Sequence, residues 1–183
     1  MGNIFKINIF KTIYFNFKTQ SFRTALKLPV FVYRNVKIYK LGGVKIDGDK
    51  VVPGLVRLGK KVIGVSDSKS KKTVLEIHGE IKFKGKAVIG SGSKICVGCN
   101  ATLTVGDGFV VTGESTFICQ DSITIGDKCL FSWDILMMDS DFHSIYNAVG
   151  EVINNNRPIV IGNHVWIGCR NTILKGVTIA DNN

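Results

Sequence analysis

Several features are missing from this sequence of 183 residues, and each absence excludes something. No stretch reaches the roughly 18 continuous apolar residues that a membrane-spanning helix needs. The opening "MGNIFKINIFKTIYFNFKTQSF" mixes lysines with aromatics where a secretory signal would carry an unbroken apolar segment, so a cytoplasmic protein is expected. Lys6 stands where a myristoylation signal requires Ser or Thr. The five cysteines are odd in number and lack the setting of a small secreted domain, so reduced thiols are expected. "CVGC" is followed by neither a second CxxC nor a suitably spaced pair of histidines, and no metal is expected. Charged residues make up only 21% of the chain against 45% apolar, which excludes a disordered or fibrous class and leaves one folded domain, or two, with a real core.

The net charge of +10 is unevenly placed. Residues 1–94 hold 20 Lys and Arg against 5 Asp and Glu, and residues 95–183 hold 4 against 9. Uniform nucleic-acid binding does not predict this split. A basic half near an acidic surface and an acidic functional end do.

A strict period dominates the rest. Cut every six residues, the last segment reads "IGNHVW IGCRNT ILKGVT IADNN", with Ile161, Ile167, Ile173 and Ile179 opening the blocks and Val165, Asn171 and Val177 in fifth place. The frame returns in "IGDKCL FSWDIL MMDSDF" from Ile125, "VGDGFV VTGEST FICQDS" from Val105 and "IHGEIK FKGKAV IGSGSK ICVGCN" from Ile77, with two-residue slips between runs. A helix repeats at 3.6 and a strand at 2, so a period of six means short strand plus turn, repeatedly. Each first residue is expected to point into a shared core and each small fifth residue to sit near a corner. Three blocks then close one coil, and coils stack their strands in parallel. Glycine in second place (Gly90, Gly106, Gly126, Gly162, Gly168) suits a corner where a side chain is a hindrance. Cys99 and Cys129 fall in fifth place and are expected to be small core fillers.

Residues 36–62, with Ile38, Val44, Ile46, Val52 and Leu58, carry a weaker version, interrupted by the polar run "SDSKSKK" at 66–72, which reads as a solvated loop. Residues 1–35 do not repeat. They are expected to form a short helix or two before Pro29, capping the open end of the solenoid, and their basic, aromatic character also fits peripheral contact with an anionic membrane.

The block pattern resembles that of the bacterial hexapeptide-repeat acyltransferases, and "SWDILMMDSDFHSI" followed by "PIVIGNHVWIGCRNTILKGVTIADN" is similar to their sugar and polysaccharide O-acetyltransferases. The resemblance covers roughly residues 75–183. It implies a left-handed parallel β-helix, against the right-handed rule for parallel crossovers. It further implies acetyl-CoA as co-substrate, a sugar or glycan acceptor and a homotrimer with active sites between subunits.

The frame breaks once. Met137 opens the last clean block and Ile161 the next, so about three blocks leave the wall as a loop over about residues 138–158. Continued counting would put His143, Val149 and Asn155 in core places, and two of these are polar. A loop on a rigid solenoid is where reactive groups collect. The resemblance matches His143 to the histidine that takes the proton of the acceptor hydroxyl. An alcohol is a poor nucleophile at neutral pH, and an imidazole can accept its proton and return one to the leaving thiolate. Asp141 or Asp139 would orient the imidazole; Asp141 is favoured, and Asp139, with Trp133, is assigned to the acceptor. The resemblance places Trp166 beside the pantetheine arm, with the backbone of Gly168 and Cys169 near the coenzyme. His78 and His164, in second and fourth places, are expected to face outwards as ordinary surface residues.

Two departures qualify the match. An Asn that some relatives supply before the "ITIGD" block has no counterpart in "TGESTFICQ", and the chain stops inside a block where relatives continue, as a fragment or a shortened protein would. The alternative function is therefore a non-catalytic β-helix scaffold without a complete coenzyme pocket.

Overall fold

The computed structural model describes residues 6–47, 51–64 and 70–183. Most of the polar run at 66–72 lies outside them. Among the described residues two helices, α1 (Ile9–Thr19) and α2 (Phe22–Ala25), precede eighteen strands that fall into threes. β1 (Val30–Val32), β2 (Val36–Lys40) and β3 (Gly43–Ile46) make the first coil; β4 (Val56–Lys60), β5 (Thr73–Ile77) and β6 (Glu80–Phe83) the second. β7 (Ala87–Gly90), β8 (Lys94–Val97), β9 (Thr102–Val105), β10 (Phe109–Gly113), β11 (Thr116–Cys119) and β12 (Ser122–Ile125) form the third and fourth. β13 (Leu130–Trp133), β14 (Leu136–Met138), β15 (Ile159–Ile161), β16 (Trp166–Ile167), β17 (Thr172–Leu174) and β18 (Thr178–Ile179) complete the fifth and sixth.

Every third strand pairs in parallel, giving three six-stranded sheets that start from β1, β2 and β3. The arrangement is consistent with the left-handed parallel β-helix that the family resemblance implies. The wall begins at Val30 rather than at residue 36, because "VFV" already alternates inward Val30 and Val32 although no six-residue repeat marks it.

The first-place residues fill the prism. Ile77, Phe83, Ile89, Ile95, Val105, Val111, Phe117, Ile125, Phe131, Met137, Ile161, Ile167 and Ile173 are all buried. At the centre, Phe109 and Phe131 meet edge to face at 5.0 Å and Phe117 stacks on Phe131 at 6.3 Å. Such pairs add about 0.5–1.5 kcal/mol each beyond the area they bury. Ile38 and Ile46 of the weaker repeat are only partly buried, and Val52 is exposed in the connection between β3 and β4.

Each corner has its own chemistry. At the corner leading from the third sheet to the first, third-place Asx residues form a ladder. The Asp107 carboxylate accepts from the Lys86 amide at 2.6 Å, Asp127 from the Asp107 amide at 2.8 Å, Asn163 from the Asp127 amide at 2.8 Å and Asp181 from the Asn163 amide at 2.7 Å. Second-place glycines are demanded by the coil above: a Cβ on Gly106 would lie 2.3 Å from the Gly126 carbonyl oxygen, and one on Gly126 2.4 Å from that of Gly162. The fourth place takes the left-handed conformation, with positive φ at Glu114, Lys128, Asp134, His164 and Arg170.

One expectation about the cysteines is corrected. Cys129 is buried in a corner as expected, and its Sγ donates to the Gly162 carbonyl at 3.1 Å. Cys99 is exposed. The two-residue slip occurs inside β8, where Ile95 and Val97 both point inward, and this shifts the next inner corner place from residue 99 to Ala101, which is buried.

Candidate functional site

The loop leaves the wall at the corner between the second and third sheets. Ile161 pairs with Ile125, 36 residues earlier, whereas Ile179 pairs with Ile161 only 18 residues on. Residues 139–158 carry the excess. They fold back on themselves as a small antiparallel hairpin, with a bridge between Tyr146 and Val152 and the Ile153 amide donating to the Ile145 carbonyl at 2.9 Å. At its tip Asn147 Oδ1 accepts from the amides of Val149 at 3.0 Å and Glu151 at 2.9 Å. His143, Val149 and Asn155 are all exposed, so none occupies the core place that continued counting would give it.

Three polar residues fix this loop to the solenoid. Asp139 is fully buried at its base, and its two carboxylate oxygens accept from the backbone amides of Gln120 at 2.7 Å and Asp121 at 2.9 Å in the coil beneath. It thus faces the wall, with both oxygens used. Its charge, after burial itself, contributes to pushing the neighbouring Cys119 thiol up to about 12. Asn154 is the second tie. Its Nδ2 donates to the His143 carbonyl at 2.7 Å and to Asp141 Oδ2 at 3.0 Å, and its Oδ1 accepts from the Ile145 amide at 2.7 Å. Lys175, from the turn after β17, is the third. Its ammonium donates to Asp141 Oδ2 at 2.5 Å, to the Asn154 carbonyl at 2.8 Å and to the Asn155 carbonyl at 3.2 Å, which uses all three of its protons. The hydrogen bond from Lys175, and then that from Asn154, hold the Asp141 carboxyl below its ordinary range.

His143 therefore sits on a hairpin held through its own backbone carbonyl and through Asp141, two residues before it. Its predecessor Phe142 has φ 61°, a left-handed conformation that a bulky residue adopts only when its surroundings enforce it, and the Phe142 amide donates to Ser140 Oγ at 3.1 Å. The ring borders an open cleft of about 380 Å³, lined also by Gln120, Ser140, Asp141, Ser144 and Asn154–Asn156. Amides, hydroxyls and a carboxylate around one imidazole suit a ligand rich in hydroxyl groups.

The structure groups His143 with Asp141 and not with the other sequence-derived residues. Asp141 engages Lys175 and Asn154, so its hold on the loop runs through Asn154. Trp133 ends β13 on the first sheet, and the residues lining the His143 cleft do not include it. Trp166 is 68% exposed on the outer wall and borders a separate groove of about 180 Å³ with Gly168, Asn171 and Asn183. Gly168 has open space where a Cβ would go, with only Asn171 Nδ2 in reach at 3.6 Å, and Cys169 is exposed. The two clefts share no residue. His78 and His164 face outwards, His78 Nε2 lying 3.2 Å from Glu76 Oε1. Among the described residues, no group of three or more His, Cys, Asp or Glu could hold a metal ion.

Sequence reasoning missed Asn154, Lys175 and Gln120. Gln120 lies in the stretch "TGESTFICQ", and its place directly under the loop corner is set by the coil register. Asn154 and Lys175 carry no sequence signal beyond lying in the loop and in the block stacked beside it.

No family model matches the chain. Curated proteins do. A polysialic acid O-acetyltransferase of Escherichia coli O1:K1 / APEC is 33% identical over 103 residues, 56% of this chain and 31% of that protein. One of Neisseria meningitidis is 42% identical over 65 residues, 35% of this chain and 30% of the relative. The galactoside O-acetyltransferase of Escherichia coli (strain K12) is 32% identical over 85 residues, 45% of this chain and 40% of that one. The matches thus span less than half the length of these relatives. The crystal structure of the polySia-specific acetyltransferase NeuO superposes with a TM-score of 0.41 at 21% identity, over 82% of this chain and 62% of that one. The relatives are O-acetyltransferases, in keeping with the hexapeptide-repeat resemblance.

Proposed function

We propose that this chain is an acetyl-CoA-dependent O-acetyltransferase acting on a sugar hydroxyl of a polysaccharide or its precursor, on the cytoplasmic side of the membrane. The observation that carries this reading is His143, held on a hairpin by Asn154, Asp141 and Lys175 and bordering a polar cleft. In the proposed reaction the imidazole takes the proton of the acceptor hydroxyl as its oxygen attacks the thioester carbonyl. The C–S bond breaks, and the imidazolium returns the proton to the departing thiolate. Polysialic acid and galactosides, which the relatives' names specify, set the acceptor class to test first.

Trp166, Gly168 and Cys169 would flank the coenzyme. Their separation from His143 within one chain agrees with a homotrimer in which one subunit's Trp166 groove faces another's His143. His143→Ala should lower acetyl transfer by about 10² to 10⁴ with an unchanged melting curve, and Trp166→Ala should weaken acetyl-CoA binding. Mixing the two variants should recover part of the activity, because some interfaces would then contain both native residues. Full activity in His143→Ala would overturn the reading. No heat on titrating the chain with millimolar acetyl-CoA would favour the scaffold alternative.

A further inference from the structure

The base of the solenoid carries a feature that acetyl transfer does not use. Helix α1 lies across the open edge of the first coil and buries Thr12, Phe15 and Asn16. Asn16 Nδ2 donates to the Val30 carbonyl at 2.7 Å while its Oδ1 accepts from the Val30 amide at 3.0 Å. Thr12 Oγ1 accepts from the Val32 amide at 3.0 Å, and Gln20 Nε2 donates to the Val44 carbonyl at 2.8 Å. The strand edge is thus satisfied by one polar face of the helix.

The opposite face is apolar and bare. Phe10 is 87% exposed, with Ile13, Tyr14 and Phe17 continuing the stripe at helical spacing, and Phe22 and Leu26 of the α2 segment extend it. Phe17 and Phe22 meet edge to face at 5.9 Å, joining the two helices into one surface. A cap needs only its inner face. Exposed rings in this number on the outer face require another partner.

Charge identifies that partner. The first acidic residue of the chain is Asp47; before it stand nine Lys and Arg. Lys18, Arg23 and Lys27 are exposed beside the stripe. A second copy meeting this patch face to face would bring these cations against one another. Apolar rings bordered by cations, in a segment whose first 46 residues hold no carboxylate side chain, are the composition of a helix lying in the interface of an anionic bilayer.

We infer that α1 and α2 form a peripheral membrane-docking surface that seats the solenoid base on anionic lipid. The α1 helix is too short to cross, and among the described residues no helix is long and apolar enough to do so. Seated in this way, the corner that extrudes the His143 loop stands four coil steps from the first coil, roughly 19 Å at about 4.8 Å per step. The surface would thus hold the cleft at a fixed height above the lipid headgroups.

The test is sedimentation of the full chain with phosphatidylcholine vesicles, with and without phosphatidylglycerol. The chain should pellet with the anionic vesicles only and be released by rising salt. Phe10→Ser combined with Phe22→Ser should abolish pelleting at an unchanged melting temperature, since neither ring is in the core. Lys18→Ala, Arg23→Ala and Lys27→Ala should each reduce partitioning about fivefold. Absence of binding, or equal binding to both vesicle types, would overturn the inference. So would self-association of the native chain that the Phe10/Phe22 variant loses, which would assign the surface to a second copy.

Discussion

The wall of the solenoid and the loop it extrudes solve the same problem by different means. In the wall, each inward side chain is covered by its equivalents one coil below and one above, as Phe131 is by Val111 and Ile167, and Phe131 also meets Phe109 and Phe117 of the coil below. Period and stacking suffice, and many residues of similar shape would serve. In the loop nothing repeats, and the hairpin stays in place through a few polar links: Asp139 to two amides of the coil beneath, Asn154 to the His143 carbonyl, Lys175 to Asp141 and two carbonyls. The difference is instructive because the wall spreads its stability over many positions, whereas the loop concentrates its geometry in three residues. Mutations should therefore separate the two regions by the property they change.

The largest effect belongs to the wall. Phe131→Ala removes a fully buried ring from the aromatic centre and should destabilise the chain by about 3–5 kcal/mol, read as a lower denaturation midpoint. Rearrangement cannot refill the space easily, because strands on all three sides are fixed by parallel ladders. Unfolding monitored at Trp166, on the neighbouring strand, and by loss of overall β signal should move together. A midpoint shift confined to one probe would break the picture of a shared core.

Asp139→Asn comes next and sits on the border between the regions. The amide oxygen can still accept from one of the Gln120 and Asp121 amides, while its NH₂ group confronts the other N–H. Loss of a charge-assisted bond and a buried mismatch together should cost on the order of 1.5–3 kcal/mol. Urea unfolding would measure it, and amide exchange at Gln120 and Asp121 would localise it. If stability were unchanged, the carboxylate would have no role in joining loop to wall.

Most of the wall was legible in the sequence because burial by stacking imposes a period. Ile161, Ile167 and Ile173 announce their inward direction by position alone, and the break after Met137 announces the loop. What stayed hidden depends on contacts between coils. Cys99 fits the fifth place by counting, yet a slip inside β8 gives that place to Ala101, since the count does not say where in a strand two residues are absorbed. The third-place Asx ladder was hidden because each rung bonds the coil below, about 20 residues away in sequence or more. Asp139 resembled a site residue because it lies near His143, but alternation along β14 turns it inward to the wall. Asn154 lines the His143 cleft from the far strand of the hairpin and Lys175 bonds Asp141 from the next coil, and no spacing rule links either to His143.

The smallest effect concerns the tie between Asp141 and Lys175. The carboxylate is solvent-accessible, so Lys175→Met should leave the melting temperature nearly unchanged, as expected for exposed ion pairs. Loop order is the quantity that should respond. Because Lys175 and then Asn154 lower the Asp141 pKa in the folded chain, the tie is fully present above the ordinary Asp value of about 3.9 and is lost as pH falls through the lower folded value. Acid should thus loosen the hairpin before it touches the wall. The Ile145 amide, bonded to Asn154 Oδ1, should lose exchange protection below that pH, while the Leu130 amide, bonded to the Val165 carbonyl, keeps its own. In Lys175→Met the Ile145 amide should exchange faster at neutral pH and respond less to acid. Identical pH profiles in the two proteins would show that the hairpin is held by something other than this pair, and would remove the proposed clamp on His143.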